Sequence, residues 1–223
     1  MTRLVLASAS PARLATLRAA GIDPLVVVSA VDEDSALAAA QARFGELEPA
    51  DVVLLLAQTK AHDVASSDVV GEDALVLGCD SMLEIDGEVV GKPGTAAVAA
   101  ERWRAMRGRT GILRTGHWVV DERDPERGGT GGTIGATSET VVHFADLSDA
   151  EIDAYVATGE PLAVAGGFTI DGLGGPFIDG IEGDHHGVVG VSLPLLRELL
   201  GQLGVTIPEL WAPLCDPHHE ESV

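Results

Sequence analysis

The chain has 223 residues, 46% of them hydrophobic and 22% charged, which suits one large α/β domain, or two lobes around a cleft, with ample material for a core. Its net charge of −21 argues against a nucleic-acid partner, because no Lys/Arg surface is available to release phosphate counterions. The longest apolar run is VVLLLA at 52–57, far short of the ~20 residues of a membrane span, so no membrane partner is expected.

In chain order, MTRLVLASASPAR carries charges and no long apolar region, so a secretory signal is not expected. RLVLA (3–7) reads as a short buried strand. SPARLATLRAAG follows as a helix, with Ser10 at the N-cap, Pro11 at the first helical position and Gly21 past the end. PLVVV (24–28) is a second strand, left by an acidic loop, VDEDS (31–35). Residues 50–66 read as a helix with Val53, Leu56 and Val64 on one stripe. ALVLGC (74–79) is a third buried strand, then MLEI-DG-EVV a hairpin with an Asp-Gly turn. TAAVAAERWRAMRG (95–108) is helical, and replacing its interior Arg102 and Arg104 is expected to have little effect on activity. ILRTGHWVVD and TIGATSETVVHF are strands flanking a polar, Gly-rich loop. LSDAEIDAYVATG opens with a capping box, Ser148 and Glu151. The 165–190 stretch reads as irregular with short strands, and LPLLRELLGQLG (193–204) closes the fold as a helix. The expected fold is therefore α/β, a mixed twisted sheet with flanking helices, in a single domain over 1–205 with a C-terminal tail at 206–223.

The basic residues are unevenly chosen. Of 14 Lys and Arg only Lys60 and Lys92 are lysine, so each surviving lysine is informative. Lys60 lies on the apolar stripe of its helix, where it either snorkels to solvent or meets an anion. Pairing Ile85 with Glu88 across the turn puts Ser81 opposite Lys92, with Asp80 one residue further. An acid, a hydroxyl and a lysine thus gather where a buried strand is expected to end, and open α/β sheets bind ligands at such ends. Arg13 occupies the first turn of its helix, where a cation opposes the helix dipole unless an anion also binds there, held by Ser8, Ser10 and free N–H groups. A plain capped helix with a solvated arginine is the alternative. Asp32, Glu33 and Asp34 are either a solvated loop or, with Asp80, carboxylates for a Mg²⁺ ion.

Three other strings lead elsewhere. GEVVGKP lacks the spacing and the Ser/Thr of a P-loop. Asp184-His185-His186 reads as a loop and His218-His219 as tail. Cys79 and Cys215 lack zinc-site spacing and stand in different contexts, so a reducing cytoplasm is expected.

From Leu4 to about Leu203 the chain resembles the Maf family of nucleoside triphosphate pyrophosphatases. The strings that carry the resemblance are LASASPARLATLRAAG, LAQTKAHDVA, VLGCDSMLEIDGEVVGKP, GRTG with the following TG, DLSDAEIDAYVATGEP, AGGFTIDG and IEGDHHGVVG. The resemblance implies two lobes around a central cleft, similar to inosine-triphosphate pyrophosphatase folds, and a homodimer. It also implies hydrolysis of a nucleoside triphosphate to the monophosphate and pyrophosphate, with a divalent metal, Mg²⁺ or Mn²⁺. Modified or non-standard nucleotides are included among the expected substrates.

Residue by residue, Ser8, Ser10, Arg13, Lys60 and Lys92 match the family's phosphate-binding positions, Glu33 its acidic residue and Asp80 its proposed catalytic aspartate. On this reading Arg13, Lys60 and Lys92 hold phosphates, while Glu33 and Asp80 form the metal–water unit, with Asp80 either base or metal ligand. The chain departs from the family pattern at Ala12 for an arginine, Ser81 for a threonine, Gly111 for a histidine, Val164 for a lysine and Asp171 for a glutamine. Its GVSLPL also interrupts the family's GLPL, with Val191 and Ser192. Ala12, Ser81 and Asp171 are accordingly the expected specificity residues. A nucleotide-binding regulator of cell division that does not turn over is the alternative function.

Overall fold

The structure is a computed structural model that describes residues 2–71 and 73–211; Cys215, His218 and His219 lie outside the described residues. Seven strands form one open mixed sheet. They are β1 (Arg3–Ala7), β2 (Leu25–Val26), β3 (Ala74–Ile85), β4 (Glu88–Val90), β5 (Thr110–Glu122), β6 (Thr133–Phe144) and β7 (Ile178–Glu182). The order is β2-β1-β3-β5-β6-β7, with β4 hairpinned onto β3. The β2-β1-β3 half is parallel and the β3-β5-β6-β7 half antiparallel. The helices are α1 (Pro11–Ala19), α2 (Glu33–Phe44), α3 (Pro49–Ala65), α4 (Ala96–Met106), α5 (Asp149–Ala157), α6 (His185–Val189) and α7 (Leu193–Gln202). No described helix is long and apolar enough to cross a membrane.

Several expectations hold in detail. Ser10 caps α1 and Pro11 opens it, and Gly21 takes the positive φ of +82° that lets the chain turn out of the helix. Ser148 and Glu151 form the capping box of α5. Val53, Leu56 and Val64 are buried on the inner face of α3.

Two expectations need correction. VDEDS is not a loop throughout, because Asp32 caps α2, accepting from Ser35 N at 3.1 Å, and Glu33 and Asp34 form its first turn. Acids there are favoured by the helix dipole, so the acidic run is a helix start. The third strand also does not stop at Cys79. β3 runs unbroken through Asp80 to Ile85, and only its partner β1 ends there, with Ala7 opposite Gly78.

The long strands join separate cores. Leu75, Leu77 and Cys79 of β3 with Val119 of β5 pack with the leucines of α7. Leu83 of β3 and Leu113 of β5 belong instead to a cluster around Trp103, Phe144 and Tyr155. Between the two clusters both strands carry polar residues, Asp80 and Ser81 on β3 and Thr115 and His117 on β5. On the opposite face α3 lies close to the sheet. A Cβ on Gly78 would fall 2.1 Å from Ala57 O, and one on Gly116 2.3 Å from Val53 O. Glycine at both positions lets the α3 backbone touch the sheet, which brings Lys60 within reach of Asp80.

Residues 206–211, placed in the tail by sequence, pack onto this core: Leu210 is buried against it and Trp211 bridges to Ile22. Residues 212–223 lie outside the described residues.

Candidate active site

A cleft of about 490 Å³ opens at the end of β1, between the two cores. That is ample for a nucleotide-sized ligand. Ten residues nominated from sequence border it: Ser8, Ser10, Ala12, Arg13, Glu33, Lys60, Asp80, Ser81, Lys92 and Asp171. One end is polar and charged. Away from it the wall is largely apolar, formed by Leu113, Phe168, Ile170 and Val188, with Thr169 and Asp171 the polar exceptions.

Lys60 resolves its sequence-level ambiguity by meeting anions. Its Nζ stands 2.7 Å from Asp80 Oδ1 and 2.7 Å from Glu33 Oε1. Only 12% of the Lys60 side chain is exposed, against 48% for Glu33. Of the three acids at 32–34 only Glu33 lines the cleft. It is aimed there because Asp63, one turn beyond Lys60 on α3, anchors the preceding segment, accepting from Ser29 Oγ and Ala30 N at 2.9 Å each.

The two carboxylates titrate in opposite directions. Burial pushes the Asp80 carboxyl up, and neither Lys60 nor Arg13 offsets it. Glu33 is also pushed up by burial, but the Lys60 hydrogen bond and the charges of Lys60, Lys92 and Arg13 outweigh that, leaving it below the usual range. A pair split this way keeps Glu33 anionic while Asp80 is the better proton acceptor near neutrality.

The same pair bears on metal binding. Two hard-oxygen ligands converge on one cationic group, and among the described residues no group of three His, Cys, Asp or Glu is placed to hold an ion alone. That donor set fits Mg²⁺ or Mn²⁺, ions that take one or two carboxylates and complete their shell with phosphate oxygens and water.

Arg13 is held from four sides. Its Nε donates to Gly190 O at 2.9 Å, Nη1 to Ser8 Oγ at 3.0 Å and Cys79 O at 2.9 Å, and Nη2 to Ser81 Oγ at 3.0 Å. Ser8 and Ser10 shape the loop before α1: Ser10 N donates to Ser8 Oγ at 3.2 Å, and Ser10 Oγ caps Arg13 N. Lys92 faces the cleft, exposed and with no ion-pair partner among the described residues. Pro93 behind it is buried, and Gly94 N donates to Leu162 O at 2.9 Å. Arg102 hydrogen-bonds Gly91 O and so supports the Lys92 segment. Arg104 of the same helix instead pairs with Asp153 at 2.6 Å and Asp149 at 3.6 Å.

Asp171 is exposed at the rim of the cleft. Its loop is fixed by Glu160, whose Oε1 accepts from Thr169 Oγ1, from Gly174 N at 3.2 Å and from Tyr155 OH at 3.4 Å. Burial, aided by Glu160, raises the Tyr155 phenol to about 12, so it stays a donor. Glu160 was not singled out from sequence, although its place next to Pro161 at the end of α5 was visible. Asp184 of the DHH triplet is the N-cap of α6, accepting from His186 N at 3.2 Å and Gly187 N at 2.9 Å.

Comparison with known proteins agrees along nearly the whole length. The family model described as Maf-like protein matches residues 3–203. A protein of Leifsonia xyli named nucleoside triphosphate pyrophosphatase is 56% identical over 211 residues, covering 94% of this chain and 96% of the relative. One of the same name from Streptomyces avermitilis is 53% identical, covering 95% of each chain. Another, from Rhodococcus jostii, is 54% identical over 215 residues, covering 95% of this chain and 97% of the relative.

Proposed function

The chain belongs to the Maf family, and on that premise we propose that it hydrolyses a nucleoside triphosphate to the monophosphate and pyrophosphate. The observation that carries this reading is the Lys60–Asp80–Glu33 cluster at one end of a nucleotide-sized cleft, with Lys92 facing the same space. Such an end suits a chain of phosphates, and the largely apolar remainder suits a base.

Phosphoanhydride cleavage asks a protein for positioned charge and an aligned water more than for covalent chemistry. In this reading Lys60, Lys92 and the α1 N-terminus with Ser8 and Ser10 grip the phosphates, while Arg13 supplies charge from its fixed seat. Asp80, its carboxyl raised by burial, accepts the proton of the attacking water. Glu33 stays ionised and holds Lys60 in place. Glu33 and Asp80 would hold a Mg²⁺ or Mn²⁺ ion, which would supply charge neutralisation to the phosphates.

The substrate is a free nucleotide, not a nucleic acid, in keeping with the charge of −21. Ala12 and Asp171, where the chain departs from the family pattern, set which base is taken, modified bases included. The family resemblance supports a homodimer, and the cysteine usage a cytoplasmic setting.

Product analysis by phosphorus NMR tests the reading. Metal-dependent release of pyrophosphate with the monophosphate is the expected result. Orthophosphate as first product, or binding without turnover, would contradict it.

A further inference from the structure

We propose, resting on the reading of the cleft as a triphosphate site, that Thr115 is a positioning residue: from outside the cleft it sets the direction of a hydrogen-bond chain that ends on Arg13.

Thr115 lies on β5 directly opposite Ser81 of β3 and is fully buried. Its Oγ1 stands 2.8 Å from the carbonyl oxygen of Gly187. A carbonyl can only accept, so the single hydroxyl proton of Thr115 is spent there. Ser81 Oγ is 2.9 Å from Thr115 Oγ1 and must then be the donor between the two. Having given away its proton, Ser81 offers only lone pairs, and Arg13 Nη2 donates into one of them at 3.0 Å. The chain therefore runs one way, from Arg13 to Ser81 to Thr115 to Gly187.

This direction has two consequences. A guanidinium has five N–H donors; four are committed to Gly190, Ser8, Cys79 and Ser81, which leaves one, on Nη2, for a phosphate oxygen. Arg13 thus presents a fixed donor instead of a fork that must be ordered on binding. Ser81 has no proton to offer substrate and acts as part of the support for Arg13.

Both ends of the chain fasten to one segment. Gly187 O receives Thr115 and Gly190 O receives Arg13 Nε. A Cβ at Gly190 would fall 3.0 Å from that Nε, and its φ is +123°, so glycine permits the approach. His117, two residues along β5 and fully buried, closes the arrangement. Its Nε2 accepts from Ser192 N at 2.8 Å, which requires the ring proton on Nδ1, donated to Thr115 O at 3.0 Å. Burial holds His117 down to about 4, so this tautomer persists at neutral pH.

The test reads binding, so that it does not depend on turnover. The probe is a nucleoside triphosphate with a methylene group replacing the α,β-bridging oxygen, titrated calorimetrically. Thr115→Val keeps the shape and removes both hydrogen bonds; it is expected to weaken binding about tenfold, the loss of one charge-assisted contact. Thr115→Ser, which restores the hydroxyl, should return to within about twofold of wild type. In an Arg13→Ala background Thr115→Val should cause no further loss, because residues acting through one another are not additive. An unchanged affinity for Thr115→Val, or an undiminished loss in the Arg13→Ala background, overturns the proposal. Should Thr115→Val fail to fold, Ser81→Ala carries the same test, with the same expected loss and the same non-additivity; wild-type affinity in Ser81→Ala overturns it. A wild type that binds the analogue and shows the non-additive pattern yet releases no pyrophosphate from natural substrate refutes the function alone. One that does not bind the analogue refutes both.

Discussion

Lys60 Nζ lies 2.7 Å from Asp80 Oδ1, a pair in which each side chain is only 12% exposed. Burial nevertheless leaves the Asp80 carboxyl raised above its ordinary value. The site therefore keeps an acid that is costly to ionise beside the cation that makes ionisation tolerable. Asp80→Asn is expected to lower kcat by at least roughly 100-fold, the range for removal of a general base. Binding of triphosphate should persist or tighten, since a negative charge leaves the phosphate end. Near-normal turnover in the Asn variant would remove Asp80 from its assigned role.

The same shift sets a pH dependence of stability. A carboxyl whose folded pKa is raised stabilises the fold below its unfolded pKa and loses that contribution as pH rises through the folded pKa. At neutral pH wild-type Asp80 is thus a liability to stability, and Asp80→Asn is expected to melt higher than wild type. The difference should shrink as pH falls toward 4, near the ordinary value of 3.8. Melting curves across that range check it. A variant that melts lower at pH 7 would mean that the lost Lys60 contact outweighs the desolvation.

The two lysines differ in their surroundings and should differ in their variants. Lys92→Gln removes an exposed cation and is expected to cost about tenfold or more in kcat/KM with stability changed by no more than about 0.5 kcal/mol. Lys60→Gln removes the shared partner of Glu33 and Asp80 and should impair both activity and stability, the latter by about 1–3 kcal/mol. Arg104→Gln, which breaks surface pairs with Asp153 and Asp149, should leave activity unchanged and cost little stability. Equal losses from Lys92→Gln and Arg104→Gln would show that general surface charge governs activity. Arg102 cannot serve as such a control, because it holds Gly91 beside Lys92.

The approach of α3 to the sheet is the mechanical basis of the Lys60 contact. Gly116→Ala puts a methyl group 2.3 Å from Val53 O, and Gly78→Ala one 2.1 Å from Ala57 O. Backbone cannot yield as a side-chain tip can. Each is expected to destabilise by about 3 kcal/mol or more, measured by denaturant unfolding, and to abolish activity by displacing Lys60. A Gly78→Ala protein of wild-type stability would contradict the contact.

Much of the site was legible because its residues are chemically out of place. Lysine is rare in this chain, and Lys60 interrupts an apolar stripe; Asp80 follows an apolar run; Pro11 and Ser10 announce a helix start. The helix α2 was missed because an acidic run resembles a loop, although Asp32 as cap before an alanine-rich stretch carries the signal. The length of β3 was missed because its apolar run ends at Cys79 while its pairing with β5 does not. His117 could not be read from sequence, and Thr115 stood out only within the TG string and not in its role: in a strand that alternates, a polar residue looks solvent-facing. Their partners Gly187 and Ser192 are more than 70 residues away.

Base preference follows from Asp171 at the rim. An ionised carboxylate accepts only, so it suits bases that present donors, the N4 amine of cytosine or the N1–H and N2 amine of guanine. It repels the O4 acceptor of uracil and thymine. CTP or GTP, or modified forms of them, should show higher kcat/KM than UTP or dTTP, and Asp171→Gln should shift preference toward UTP and dTTP. A wild-type preference for UTP or dTTP would show that Asp171 does not read the base.

Asp80 beside Lys60 is expected to direct water onto the α-phosphorus. Hydrolysis in ¹⁸O-labelled water, with both products analysed by mass, tests it most directly. The account predicts the label in the nucleoside monophosphate and unlabelled pyrophosphate. Label in the pyrophosphate, which places the attack at the β-phosphorus, would contradict it.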